Sequence, residues 1–350
     1  MDTKLLFKMC KAEVHRHLEG SITPAIAIKV AKEFGFPLSW GNEKEVAKFI
    51  QITNNNSRSL LDFLKKFSYI EPLFKQGEAI SLITEEVLAS VKKDNIRYLE
   101  LRFSPFYMAG AYSNPQKLSP LPQEVVEQVI KGVSKAVEDK KLIVKLLIII
   151  GRELGKPFAW ETLKLALAYK KYGVVGVDLA GDEVNYPADT YKELFNKAKE
   201  EGLKITIHSG EATTALDILT ALSLGADRIG HGVKAIESKE VMRKLVETQT
   251  PLELCPTSNF HTGVVSSLKE HPIKTFFKQG LWVTLNTDDP GISNISLSGE
   301  YCKLKEELDF SLKELFQINL LTLKASFLSP AEKEKLIVEF TSFGEKHGLI

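Results

Sequence analysis

The chain has 350 residues, of which 44% are apolar and 26% are charged, a composition typical of a folded globular protein and not of a disordered one. Its 46 basic and 45 acidic residues leave a formal net charge of +1. No strong overall field is therefore available to gather nucleic acid or an anionic membrane, and we expect a small-molecule partner.

The N-terminal residues do not predict a targeting or membrane-spanning segment. Charges interrupt residues 1–15 before an apolar core can form, and the most apolar run, residues 142–150, contains Lys145 and is too short to cross a bilayer. Cys10, Cys255 and Cys302 are too few and too scattered for a disulfide framework or a thiolate zinc site. We therefore expect a cytoplasmic protein.

Short apolar runs recur along the chain, and each is followed by polar residues or glycine. They predict eight β-strands, at residues 12–17, 97–103, 144–150, 174–179, 204–208, 227–230, 252–254 and 281–286. Helical periodicity appears between them, for example at 122–137 and 191–199. Alternating strands and helices favour a parallel (β/α)8 barrel of the TIM type, with an open doubly wound sheet as the alternative.

No linker or repeat divides residues 1–350, so we expect one domain. Residues 20–95 are a long helical insertion between the first two strands, with Leu60, Leu61, Leu64 and Phe67 at helical spacing after a cap at Ser57 or Ser59. This insertion is either an extra packed layer or a lid over the first strand. The tail after residue 299 predicts further helices, one of which begins near Ser329.

Polar residues collect where the predicted strands end. The first strand ends in His15 and His17, which alternation places on one face with Arg16 on the other. Further candidates are His208 and Glu211 at the fifth strand, His231 at the sixth, and Asp288 and Asp289 after the eighth. The remaining histidines, His261, His271 and His347, lie outside this pattern. Several imidazoles with a carboxylate on the catalytic face of a barrel predict a zinc site with an open position for water.

The chain resembles the adenosine deaminase family of zinc-dependent purine deaminases. The resemblance rests on the segments HRHLEGS, LRFSP, VDLAGDE, HSGE, RIGHGV, LCPTSN and NTDDP, which follow one another between His15 and Gly291. It implies a (β/α)8 barrel of the amidohydrolase type. It also implies hydrolytic deamination of adenosine or deoxyadenosine to inosine or deoxyinosine, with release of ammonia.

The resemblance assigns a role to each candidate residue. One Zn²⁺ per chain would be held by His15, His17, His208 and Asp288. Glu211 would protonate the purine N1, and His231 would position and deprotonate the zinc-bound water, with Asp288 also in the catalytic set. Substrate contacts would come from His17, from Glu19 near the ribose 5′ side, from the Gly181 backbone at N3 and from Asp289 at N7.

Two positions depart from the family pattern. Glu19 stands where many adenosine deaminases have aspartate, so a 5′-modified adenosine such as aminodeoxyfutalosine is an alternative substrate. The run Ala212-Thr213-Thr214 replaces the usual glycine-containing connection after HSGE, which affects the local shape of the pocket. Two other readings remain: a non-catalytic purine-binding barrel, and a zinc amidohydrolase acting on an amide or phosphoester. The sequence does not predict the oligomeric state.

Overall fold

Eight parallel strands form the centre of the molecule. The structure is a computed structural model that describes residues 2–36, 41–52 and 59–350. The strands pair in chain order, each with the next. Their bounds are β1 Lys11–His17, β2 Ile96–Phe103, β3 Ile143–Gly151, β4 Val174–Ala180, β5 Lys204–Ser209, β6 Arg228–His231, β7 Leu252–Leu254 and β8 Val283–Leu285.

The sheet closes on itself just beyond the end of β8. The His17 amide donates to the Asp288 carbonyl at 2.9 Å, and the Asp288 amide donates to the His15 carbonyl at 3.1 Å. These two bonds make a parallel bridge between Arg16 and Asp288. The predicted (β/α)8 barrel is therefore confirmed, because a doubly wound sheet has a reversed strand order and two open edges.

Helices surround the barrel, and further helices precede the first strand and follow the last one. Their bounds are α1 Asp2–Lys8, α2 Pro24–Phe34, α3 Glu43–Ile50, α4 Leu60–Leu64, α5 Gly77–Lys93, α6 Pro105–Met108, α7 Pro122–Ala136, α8 Gly155–Ala168, α9 Lys192–Glu200, α10 Ala215–Ser223, α11 Lys239–Thr248, α12 Pro256–His261, α13 Ile273–Lys278, α14 Pro290–Ser293, α15 Leu297–Glu307, α16 Leu312–Ala325 and α17 Pro330–Lys346. Within the described residues, no helix is long and apolar enough to cross a membrane.

The segment between β1 and β2 carries α2 to α5. Ser59 caps α4 by accepting the Asp62 amide, as expected, whereas Ser57 lies outside the described residues. The predicted apolar stripe is wrong at Leu61, which is 53% exposed, and Phe63 is buried in its place. The reason is that Leu60, Phe63, Leu64 and Phe67 follow the i, i+3, i+4, i+7 spacing of one helix face, whereas Leu61 lies to the side of that face.

The inside of the barrel carries a chain of charged side chains. Arg102 of β2 donates to Asp178 of β4 and to Glu253 of β7, each at 2.9 Å. Arg228 of β6 donates to the other Glu253 oxygen at 2.5 Å and also pairs with Glu100. All five side chains are 0 to 1% exposed. This chain of ion pairs, here called the interior charge ladder, lies directly beneath the ends of the strands that bear the histidines.

Candidate active site

The predicted site residues come together at the C-terminal ends of the strands. His15 and His17 end β1, His208 lies one residue before the end of β5, and His231 ends β6. Asp288 follows β8 with φ of +64°, a left-handed conformation that is uncommon for a residue other than glycine. Closure of the barrel therefore brings side chains that are far apart in sequence into one buried cluster.

Asp288 lies at the centre of this cluster. Its Oδ1 is 3.1 Å from His15 Nε2 and 3.2 Å from His17 Nε2, and its Oδ2 is 3.9 Å from His231 Nε2. The rings of His15 and His208 have their centroids 4.7 Å apart. Although burial disfavours its charge, the neighbouring imidazoles hold the pKa of Asp288 well below its usual range.

The donor atoms of this cluster fit a metal ion. One ligand atom from each of His15, His208, His231 and Asp288 lies within 4.8 Å of the others, and a second such group consists of His17, Asp178 and His208. Nitrogen and carboxylate donors at such spacing suit zinc and similar divalent ions. The two groups share His208. The first contains His231 as its fourth member, whereas the sequence predicts His17 as the fourth ligand.

Two carboxylates in the barrel orient the histidines. Glu253 accepts from His15 Nδ1 at 2.7 Å, and Asp178 accepts from His208 Nδ1 at 3.0 Å. Both rings therefore present Nε2 to the cluster, an arrangement typical of metal-binding histidines. Arg102 and the histidines keep the pKa of Asp178 below its usual value despite burial. Asp178 and Glu253 were not predicted as site residues. Each is a charged residue within an otherwise apolar strand, a pattern that could have indicated a buried polar role.

Glu211 lies beside the cluster in the loop after β5. Its Oε1 accepts from Thr262 Oγ1 at 3.1 Å, and its Oε2 is 3.4 Å from His231 Nε2. Burial, together with the negative charges of Asp288 and Glu183, raises the pKa of Glu211 to about 8. The carboxyl group is therefore mostly protonated near neutral pH and can donate a proton.

Asp289 is a second buried carboxyl group that the site keeps protonated. Burial and the negative charge of Asp288 raise its pKa well above the usual value. Its Oδ1 is buried and has no hydrogen-bond partner within the described residues. Because such an atom is costly unless a ligand satisfies it, Asp289 is suited to bind a polar atom of a substrate.

A cavity of about 460 Å³ opens above these residues. Glu19 lines it, with Oε1 accepting the Ser104 amide at 2.7 Å while Oε2 is buried without a partner in the described part of the chain. Burial raises the pKa of Glu19 to about 7. Gly181 also lines the cavity at φ of +110°, where an added Cβ would lie 2.4 Å from Glu153 Oε2.

The cavity is apolar on one side and acidic on the other. Leu60, Phe63, Leu64 and Phe67 of the β1–β2 insertion cover one side, so the insertion reaches the site as a lid would. No lysine or arginine is present among the described lining residues, which include the carboxyl groups of Glu19, Glu71, Glu153, Glu211, Asp288 and Asp289. The four apolar side chains form an apolar wall, and the described lining offers no lysine or arginine to an anionic ligand.

Three further residues contact the predicted site residues or their loops and were not predicted from the sequence. Asn259 and Thr262 contact Glu211, and Glu153 accepts the Asp182 amide next to Gly181 at 2.6 Å. Asn259 belongs to the LCPTSN segment, which was recognised only as part of the resemblance. Glu153 and Thr262 carried no distinguishing pattern, since both lie in loop or turn segments.

Comparison with known proteins agrees with this geometry. The family model described as adenosine deaminase matches residues 10–342. An adenosine deaminase of Shewanella loihica is 36% identical over 325 residues, covering 93% of this chain and 96% of that protein.

Solved structures share the whole fold. An adenine deaminase from Arthrobacter aurescens superposes with a TM-score of 0.86 at 26% identity, covering 96% of this chain and 99% of its own. An N6-methyl-AMP deaminase from Arabidopsis thaliana gives 0.83 at 31% identity, covering 99% and 100%. With a metal-fitting cluster of histidines and aspartate at the ends of eight parallel strands, and with a family match over nearly all of its length, the chain belongs to the adenosine deaminase family.

Proposed function

We propose that the protein catalyses zinc-dependent hydrolytic deamination of adenosine and deoxyadenosine to inosine and deoxyinosine, with release of ammonia. The observation that carries this proposal is the buried Glu211, whose raised pKa leaves a proton available next to the histidine and aspartate cluster. A catalytically inactive barrel would have no need of such an acid. No predicted catalytic side chain is missing from the site.

The proposed metal ligands are His15, His17, His208 and Asp288, which would hold one zinc ion. Burial lowers the pKa of His208 to about 3, so that its lone pair is available at neutral pH. Zinc, when bound, lowers the pKa of a water molecule toward neutrality and so supplies the nucleophile. His231 is left as the imidazole nearest to Glu211, at 3.4 Å.

Glu211 is proposed to protonate the purine N1. Attack at C6 places negative charge on the ring, and the charge is stabilised when a proton reaches N1 at the same time. A carboxyl group with a pKa of about 8 is protonated by about ten to one at pH 7. Thr262 and Asn259 hold the carboxyl group in place without supplying a positive charge that would remove its proton.

Asp289 and Gly181 are proposed to orient the base. Purine N7 has a lone pair and no hydrogen, so its partner must be a donor, which the protonated Asp289 supplies. The backbone of Gly181 would contact N3 from the opposite side of the cavity. Its left-handed conformation and the crowding from Glu153 both exclude a side chain there, which keeps the backbone accessible.

Glu19 is proposed to bind the ribose 5′-hydroxyl through its unpartnered Oε2. A hydroxyl group can donate a hydrogen bond to this oxygen, whereas a 5′-phosphate carries only acceptors and negative charge. No lysine or arginine is among the described residues that line the cavity, so none is available there to balance a phosphate. We therefore propose a nucleoside and not a nucleotide as substrate, in contrast to the Arabidopsis N6-methyl-AMP deaminase. Aminodeoxyfutalosine is less favoured as a substrate than adenosine.

A substrate panel tests the proposal. Purified, zinc-loaded protein is given adenosine, deoxyadenosine, adenine, AMP, N6-methyl-AMP and 5′-deoxyadenosine, and loss of the 6-amino chromophore is followed by ultraviolet absorbance. We expect the highest kcat/KM with adenosine and deoxyadenosine and one zinc per chain by metal analysis. A preference for AMP or adenine, or full turnover after complete metal removal, would overturn the proposal. We also propose a cytoplasmic location, which is supported by the three cysteines being free.

A further inference from the structure

A chain of hydrogen bonds runs from a backbone amide to the catalytic histidine. The Ile273 amide at the start of α13 donates to His271 Nδ1 at 3.2 Å. A backbone N–H can only donate, so this nitrogen must carry the ring's lone pair. The proton of His271 is therefore on Nε2. Burial also lowers the pKa of His271 to about 3, which keeps the ring neutral.

The next link is the side chain of Asn259. His271 Nε2 lies 3.2 Å from Asn259 Oδ1 and donates to it. The amide nitrogen must then face the other way, where Nδ2 is 3.0 Å from His231 Nδ1 and 3.4 Å from Glu211 Oε1. An amide nitrogen has two hydrogens and no available lone pair, so it donates to both. Asn259 is fully buried and cannot exchange these partners for solvent.

The orientation of Asn259 decides where His231 carries its proton. An imidazole that accepts a hydrogen bond at Nδ1 must carry its proton at Nε2. Nε2 of His231 faces Glu211 Oε2 at 3.4 Å and Asp288 Oδ2 at 3.9 Å, the side of the ring on which the attacking oxygen must lie. Its lone pair is thus turned away from the reaction.

We propose that Asn259 and His271 are positioning residues that fix His231 as an Nε2–H donor, so that His231 orients the attacking water. The water's proton passes instead to Glu211, which has given its own proton to N1, and Glu211 then delivers it to the leaving amino group. This inference rests on the proposed function for the identity of the reaction. It revises the role that the family resemblance implies for His231, from orienting and deprotonating the water to orienting it alone. Neither Asn259 nor His271 touches the cavity, so their effect must pass through His231 or Glu211.

The primary test exchanges Asn259 for aspartate, which has the same shape but cannot donate to His231 Nδ1. The zinc-loaded protein is labelled with ¹⁵N-histidine, and the His231 signals are assigned from their loss in His231→Ala. We expect the two-bond ¹H–¹⁵N pattern of His231 to change from the Nε2–H form to the Nδ1–H form. This measurement needs no substrate, so it remains decisive even if adenosine proves to be the wrong substrate.

Kinetics supply the second readout. Asn259→Asp should lower kcat about 10- to 100-fold, because His231 loses the hydrogen bond that orients it. This range is the one observed when residues that hydrogen-bond to metal-binding histidines are replaced. KM should change less than threefold, and metal content should remain one per chain. The panel's best substrate is used, so a failed adenosine assignment does not affect the comparison.

A pair of variants at residue 271 keeps the proposal testable if Asn259→Asp does not fold. His271→Gln retains a donor toward Asn259 Oδ1, whereas His271→Phe fills the space without one. In His271→Gln we expect His231 to keep its Nε2–H form and kcat to stay near the wild-type value. In His271→Phe we expect the Nε2–H form to be lost and kcat to fall. His261→Phe is the matched control, because His261 is on the same helix as Asn259 but its ring lies 3.1 Å from Ser293 Oγ instead of joining the chain from His271 to His231. The proposal would be overturned if the two His271 variants had the same His231 tautomer and the same kcat. It would also be overturned if the His231 pattern were unchanged in Asn259→Asp.

Discussion

Gly20 is the position where the smallest change should have the clearest effect on substrate recognition. It lies in the 3₁₀ turn Glu19–Ser21 directly after β1. A Cβ at Gly20 would be 1.6 Å from Asp289 Oδ1, 2.3 Å from its Cγ and 2.6 Å from its Cβ. Rotation of the Asp289 side chain moves the first two atoms but leaves its Cβ in place. Gly20→Ala must therefore displace both the carboxyl group and the backbone of residue 289.

The size of the effect follows from these distances. Ordinary contact begins at 3.4 Å, so the carboxyl oxygen must move by about 3.4 minus 1.6, or 1.8 Å, which is enough to break a hydrogen bond to N7. A hydrogen bond between two neutral groups contributes about 0.5 to 1.5 kcal/mol, which corresponds to about 2- to 12-fold in kcat/KM. Overpacking should also lower the free energy of unfolding by about 1 to 3 kcal/mol.

The assay compares adenosine with 7-deazaadenosine, which lacks N7 and so gains nothing from Asp289. We expect kcat/KM for adenosine to fall in Gly20→Ala, while the inhibition constant of 7-deazaadenosine changes less than threefold. Gly299→Ala is the matched control, since a Cβ there meets Ser296 Oγ at an ordinary 3.4 Å. An equal loss for both nucleosides would show that Asp289 does not read N7. Wild-type kinetics would refute the steric reasoning itself.

Four further predictions concern the site. Glu211→Gln should keep one metal per chain but lower kcat about 10²- to 10⁴-fold, because an amide cannot deliver a proton; metal loss would place Glu211 among the ligands. Glu211 must be protonated to act, and its pKa is raised to about 8, so kcat/KM should fall as the pH rises through that value. A bound metal ion lowers the pKa of Glu211 and moves the fall to a lower pH. A wild-type profile that stays flat through the alkaline range would contradict this role. His208→Ala should remove most of the metal and nearly all activity, as measured by metal analysis and turnover, and full metal content with normal turnover would be incompatible with its role as a ligand. Glu19→Asp should withdraw the carboxylate from Ser104 and change the ratio of kcat/KM between adenosine and 5′-deoxyadenosine, with metal content unaffected; an unchanged ratio would mean that Glu19 does not read the 5′ position.

The sequence predicted the barrel because its strands are marked locally. Each strand is a short apolar run closed by polar residues, and all eight predicted strands lie within two residues of the observed bounds. The clustering of His15, His208 and Asp288 was also predictable, since parallel strands end at one face of a barrel. Leu61 was misplaced because the apolar face of α4 contains Phe63, three residues after Leu60, and Leu61 lies to the side of it.

The sequence could not predict which charged side chains pair with one another inside the barrel. Arg102 and Glu253 are 151 residues apart, and only barrel closure decides which carboxylate each arginine meets. The link from His271 to His231 was equally hidden, because it depends on which atom of Asn259 faces which ring. That orientation is set by one backbone amide at the start of α13 and leaves no trace in composition or periodicity.

The interior charge ladder limits how this enzyme can change, in nature or in the laboratory. Replacing one member, such as Glu253, removes one of the two carboxylate partners of both Arg102 and Arg228. Breaking such buried pairs costs about 3 to 5 kcal/mol, a large share of a typical domain's stability. An apolar interior could be reached only by exchanging the members together, since each intermediate step is less stable than either end. The insertion between β1 and β2 and the loops around the cavity contain no member of the ladder, so single substitutions there avoid this cost. Directed evolution toward new nucleosides should concentrate its libraries there and leave the interior unchanged.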